Sequence, residues 1–176
     1  VRIDIDVLAA TDRIVLQAVN MRFAHATLAP AKGKPLAATV SVDAAGQTAT
    51  FAFAKPLAPG KYVLSTEYSG KINTQANGLF ALDYATPDGQ KRALYTQFEN
   101  SDARRFIPSW DEPDYKATFD LTVVAPAAQM AVSNMPVAKS EDIGGGLKRV
   151  TFGTTPKMST YLLFFGLGDF DRATLA

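Results

Sequence analysis

The stretch TQFENSDARRFIPSWDEPDYKATF, Thr96 to Phe119, breaks the pattern of the chain on either side of it. Eight of its 24 residues are charged, against 27 of the other 152, and it holds five of the 18 aromatic residues, including the only tryptophan. The residues that lead into it, Ala93 to Glu99, alternate like a strand. Leu94, Thr96 and Phe98 are expected on the core face, with Tyr95, Gln97 and Glu99 on the other. Behind it, Ala117 to Ala125 alternates again and stops at Pro126. The stretch therefore reads as a compact, irregular crossover between two strands. Ser101 is placed to cap one short helical turn over residues 102–106, which Pro108 would end. Ser109-Trp-Asp-Glu112 has capping-box spacing, but Pro113 limits it to a single turn.

Working outward, the same two-residue period recurs along the chain. Val1 to Val7 alternates apolar with charged residues, and Arg13 to Val19 follows a Thr11-Asp12 turn. Leu36 to Asp43 and Thr48 to Ala54 flank Ala44-Ala-Gly-Gln47, a hairpin signal in which the glycine is expected to supply the turn conformation. Tyr62 to Tyr68 follows the loop Pro56 to Gly60. Leu79 to Tyr84 is joined to Ala93–Glu99 through Thr86-Pro-Asp-Gly89. Met130 to Val137, Leu147 to Thr154 after Gly144-Gly-Gly146, and Tyr161 to Phe170 complete the set. About ten closely spaced strands with only short helical turns predict an all-β fold, an antiparallel β-sandwich or saddle-like twisted sheets. One domain over residues 1–176 is expected, with no repeat and no linker. Because Val1 already lies inside a strand pattern, the chain reads as part of a longer protein, truncated at both ends.

Composition excludes several classes. Apolar residues make up 47%, charged residues 20%, and the net charge is +1 with no block of like charge, so neither nucleic acid nor a membrane surface finds an electrostatic footprint. The apolar run Tyr161 to Leu167 is too short to span a bilayer. The absence of cysteine rules out disulfides, thiolate metal sites and cysteine nucleophiles, while leaving the compartment open. The single histidine, His25, cannot build a site alone.

Within the crossover, Arg104, Arg105, Asp111, Glu112 and Asp114 read as a network that holds its shape, and Phe106, Trp110 and Tyr115 as local core. Gln97 and Glu99 stand apart: strand parity puts an amide and a carboxylate side by side at the strand end. On spacing alone, Glu99 reads equally as a solvated acid or a binding group.

The residues Thr96-Gln-Phe-Glu99, Asp102-Ala-Arg-Arg105, Pro108-Ser-Trp-Asp-Glu-Pro113 and Lys116-Ala-Thr-Phe119 together resemble the signature of aminopeptidase N-like zinc metallopeptidases, TQFE…DAR…FPC(F/W)DEP…KATF. Looser similarity covers most of the chain, including Ser133-Asn-Met-Pro136 and Lys157-Met-Ser-Thr-Tyr-Leu162. Ser109 stands where the family often has cysteine, and Asn100 occupies a more variable position. The resemblance implies the N-terminal β domain of a gluzincin aminopeptidase. Its substrates would be peptides with a free N-terminus, with Glu99 binding the α-ammonium and Gln97 lining the pocket for the first side chain. It also implies a zinc-bearing catalytic domain elsewhere in the same polypeptide. The H-E-x-x-H and G-x-M-E-N motifs that the chemistry needs do not occur in residues 1–176, so this chain alone is expected to be inactive. Its exposed edges are expected to promote self-association. The alternative is a stand-alone β-sandwich carbohydrate-binding or adhesion module, in which exposed Tyr and Trp would stack on sugars.

Overall fold

The computed structural model describes residues 1–173, which fold into two compact units. The first comprises Val1–Lys71 with Arg104–Asp111, and the second Ile72–Ala103 with Glu112 onward. Both are all-β, as the alternation predicts. Among the described residues the only helical turns are two 3-10 segments, Ala103–Arg105 and Thr160–Leu162, and no helix is long and apolar enough to cross a membrane.

The first unit contains β1 (Arg2–Val7), β2 (Thr11–Gln17), β3 (Arg22–Pro30), β4 (Leu36–Ala37), β5 (Thr39–Asp43), β6 (Thr48–Leu57) and β7 (Gly60–Ser69). They form two antiparallel sheets, ordered β1-β7-β3-β4 and β2-β6-β5. Ile5, Leu28 and Leu64 from the first meet Leu16, Phe51 and Phe53 from the second in one apolar cluster, which makes this unit a sandwich. Burial of such side chains contributes about 1.5–3 kcal/mol each. The hairpin between β5 and β6 forms where expected, but for a different reason. The residue with positive φ is Gln47 (56°), not the glycine. Asp43 Oδ1 accepts from the N–H groups of Ala45 and Gly46, both at 3.0 Å, and a Cβ on Gly46 would lie 2.6 Å from the Asp43 carboxylate. A side chain there would have to displace the Asp43 carboxylate that holds the turn.

Strand β3 has no clean period in the sequence because a bulge between Phe23 and His25 shifts its register against β7. His25 lies on this strand, exposed, and its carbonyl accepts from Thr66 Oγ1 at 2.8 Å.

The second unit contains β8 (Gly78–Thr86), β9 (Gly89–Gln97), β10 (Lys116–Ala117), β11 (Thr122–Pro126), β12 (Met130–Ser133), β13 (Val137–Gly144), β14 (Leu147–Phe152), β15 (Met158–Ser159) and β16 (Phe165–Gly168). Sheets β12-β16-β9-β8 and β11-β14-β13 share a core of Ala125, Ala131, Val150, Phe152, Phe165 and Leu167, and β10 pairs with β15. Four expected strands are broken. Leu36 to Asp43 divides at Ala38 into β4 and β5, which join different sheets, and Met130 to Val137 divides into β12 and β13. Ala117 to Ala125 and Tyr161 to Phe170 are interrupted where side chains take up backbone groups. Between β10 and β11, Phe119 donates its N–H to Thr155 Oγ1 at 2.9 Å. Before β16, Asn134 brackets the chain: its Nδ2 donates to Leu162 O at 2.8 Å, and its Oδ1 accepts from Phe164 N–H at 2.7 Å. Ser133 Oγ donates to Phe164 O at 2.7 Å, so the Ser-Asn turn grips the segment after Tyr161.

Candidate functional site

Strand β9 is a central strand, flanked by β8 and β16. Thr96 and Phe98 are buried along it and Leu94 packs against the core, whereas Gln97 and Glu99 are exposed; Ala93, on the same face as these two, is buried further back along the strand. The alternation read from the sequence thus holds where it matters. The opposite face is not bare before Gln97, however. Tyr95 packs with Phe80 (ring centroids 6.1 Å apart) and with Phe170 (5.7 Å), and only from Gln97 onward is that side open.

The strand ends at Gln97, two residues earlier than expected, and Glu99 sits in the turn that follows, with a cis peptide to Asn100. Phe98 O accepts from Asp102 N–H at 2.9 Å, which closes this turn beneath the glutamate. Among the described residues the Glu99 carboxylate has no hydrogen-bond or ion-pair partner, and the structure thus brings Gln97 and Glu99 out together at one strand end.

One further residue at this strand end escaped the sequence reading. Strand parity puts Thr96 on the core face and marks nothing further for it. Its hydroxyl accepts from Phe165 N–H at 2.9 Å and donates to Phe165 O at 3.4 Å, at the point where β9 parts from β16. A β-branched hydroxyl residue on the core face, one residue before the strand end, is the only signal for it.

The remainder of the charged stretch behaves differently. Arg104 and Asp111 form an ion pair at 3.1 Å, with side chains 13% and 1% exposed. Asp111 Oδ2 also accepts from Arg104 N–H at 3.1 Å, and Arg104 Nη2 donates to Asp111 O at 3.0 Å. Gln47 Oε1 accepts from Arg104 Nη1 at 3.2 Å, and Gln17 Oε1 accepts from Asp111 N–H at 3.0 Å. Ser109 bridges Gln17 through both backbone groups, and Trp110 packs against the apolar core. Tyr68 donates its hydroxyl to Phe106 O at 2.7 Å, and burial pushes its pKa up to about 12. Arg104, Asp111 and Trp110 thus hold shape as expected, but Tyr115, expected in the local core, is 57% exposed.

The geometry can be set beside known proteins. The family model for the peptidase M1 N-terminal domain matches residues 1–162. The chain belongs to that family. It is 45% identical over 168 residues to an aminopeptidase N of Acetobacter pasteurianus, covering 95% of this chain and 46% of that protein. It is 37% identical over 175 residues to aminopeptidase M1 of Arabidopsis thaliana, and 32% identical over 174 residues to mouse endoplasmic reticulum aminopeptidase 1. These alignments cover 97% and 95% of this chain but only 20% and 19% of those relatives, so the chain spans less than half of each. No carbohydrate-binding or adhesion protein stands among these relatives, and that alternative gains no support. Zinc, which the family implies, finds no donor set here. Among the described residues no three His, Cys, Asp or Glu side chains converge to hold a metal ion.

Proposed function

We propose that this chain is the substrate-end-recognising domain of a zinc-dependent aminopeptidase, in which Glu99 binds the α-ammonium of a peptide and Gln97 lines the pocket for its first side chain. The observation that carries the reading is the Glu99 carboxylate: exposed at the end of a central strand, beside an exposed amide, and unpartnered among the described residues. An exopeptidase must find a cationic chain end and reject internal peptide bonds. A carboxylate in a closed cleft does both, because its bonds to an ammonium are charge-assisted. Enclosed by residues outside this chain in the full-length protein, the same carboxylate, exposed here, would also penalise any ligand that lacks a counter-charge. Zinc bound by other residues of the same polypeptide would supply the hydrolytic chemistry.

The decisive experiment is Glu99→Ala in the full-length protein. Its kcat/KM for free-amine peptides should fall by about 2–5 kcal/mol in transition-state stabilisation, roughly 30-fold to several thousandfold. Unchanged kinetics would remove Glu99 from the site. The 176-residue chain, supplied with zinc and an aminoacyl chromogenic substrate, should show no turnover; chelator-sensitive activity would contradict the division of labour proposed here.

A further inference from the structure

Strand β9 leaves β16 one residue before Gln97. The ladder between them contains only Gly166 opposite Tyr95 and Leu167 opposite Leu94, and the next pair would be Phe165 with Thr96. There the Thr96 side chain takes the place of its backbone and bonds both the N–H and the C=O of Phe165. Thr96 is 7% exposed, so water competes little for these bonds. On the other flank, β8 follows β9 as far as Gly78 opposite Gln97, and the ladder stops. The next fixed point is Phe98, 2% exposed, whose carbonyl holds the turn through Asp102. Glu99 is thus aimed by a backbone gripped at Thr96 and Phe98.

We propose that Thr96 is a positioning residue for recognition of the peptide's amino end: its hydroxyl sets the direction in which Gln97 and Glu99 leave the sheet. The inference rests on the reading of Glu99 as the partner of the ammonium. A direct backbone ladder at this position would keep β9 flush against β16. A side-chain spacer satisfies both polar groups of Phe165 while letting the β9 backbone stand off. Serine preserves that device, whereas isosteric valine removes it. Displacement of a recognition group by about 1 Å costs up to about a hundredfold, so a loosened strand end is felt at the carboxylate.

The test compares inhibition constants in the full-length protein for an amino acid hydroxamate and for its des-amino analogue. Their ratio measures what the ammonium contributes and does not depend on how much of the protein is folded. Glu99→Ala should reduce the ratio at least about 30-fold. Thr96→Val and Thr96→Ala should reduce it about tenfold, and Thr96→Ser should stay within about twofold of wild type. A role confined to stability would leave the ratio unmoved in all three Thr96 variants. If Glu99→Ala collapses the ratio while Thr96→Val and Thr96→Ala leave it intact, positioning by Thr96 is overturned and the recognition reading stands. If serine behaves like valine, the hydroxyl is not the agent. If Glu99→Ala leaves the ratio intact, the recognition reading falls and takes this inference with it. Should the valine variant not fold, the alanine and serine variants decide.

Discussion

Two carboxylates twelve residues apart in the same charged stretch meet opposite fates. Asp111 is 1% exposed and accepts from both the backbone and the guanidinium of Arg104, while its own backbone N–H goes to Gln17. Glu99 is exposed and partnerless among the described residues. Composition treats the two alike. Their surroundings do not: one acid is consumed by the architecture, and the other is left with its bonding capacity unspent. A carboxylate that contributes nothing to the fold, held on a backbone that is itself fixed, is what a binding site requires.

That contrast breaks first, and most expensively, at Asp111. Asp111→Ala leaves the Arg104 guanidinium, 13% exposed, without this counter-charge in a place where water cannot replace it. Loss of one partner from a buried pair costs about 3–5 kcal/mol. Urea unfolding of the chain should show a matching fall in midpoint. A loss below about 1 kcal/mol would place Asp111 with ordinary surface pairs and erase the distinction from Glu99.

A smaller effect should appear in alkali, again only on the architectural side. Burial raises the Tyr68 pKa from its ordinary value of 10.0 to about 12, so the folded state holds this proton more tightly than the unfolded chain. The stability it contributes is complete below pH 10 and is lost as the pH rises from 10 to 12. Two pH units correspond to about 2–3 kcal/mol. Wild type should therefore lose that much across this window relative to Tyr68→Phe, read from paired urea midpoints at each pH. Parallel curves would mean that the hydroxyl is solvated in the folded state.

How much of this could be read from the sequence follows the same division. The alternating strands, the turns at Thr86–Gly89 and Gly144–Gly146, and the exposed pair Gln97 and Glu99 were legible because each depends on a local period or on a backbone conformation that glycine supplies. Strand β3 was not, because its bulge destroys the period. The breaks at Phe119 and before Phe165 were not, because hydroxyl and amide side chains distant in sequence replace ladder bonds there. Thr96 was invisible for the same reason: its partner, Phe165, lies 69 residues away.

The smallest expected change is the most diagnostic. Glu99→Gln keeps the shape of the side chain and removes only its charge. Because no hydrogen bond or ion pair among the described residues uses that charge, unfolding midpoints should move by no more than about 0.5 kcal/mol, as at other surface positions. The same substitution at Asp111 would strip the charge from a carboxylate that faces a guanidinium at 3.1 Å. A stability loss at Glu99 approaching that of Asp111 would show that the fold uses its carboxylate after all, leaving it unavailable to a ligand. A neutral result, combined with lost affinity for the ammonium in the full-length protein, would separate binding from folding at a single residue.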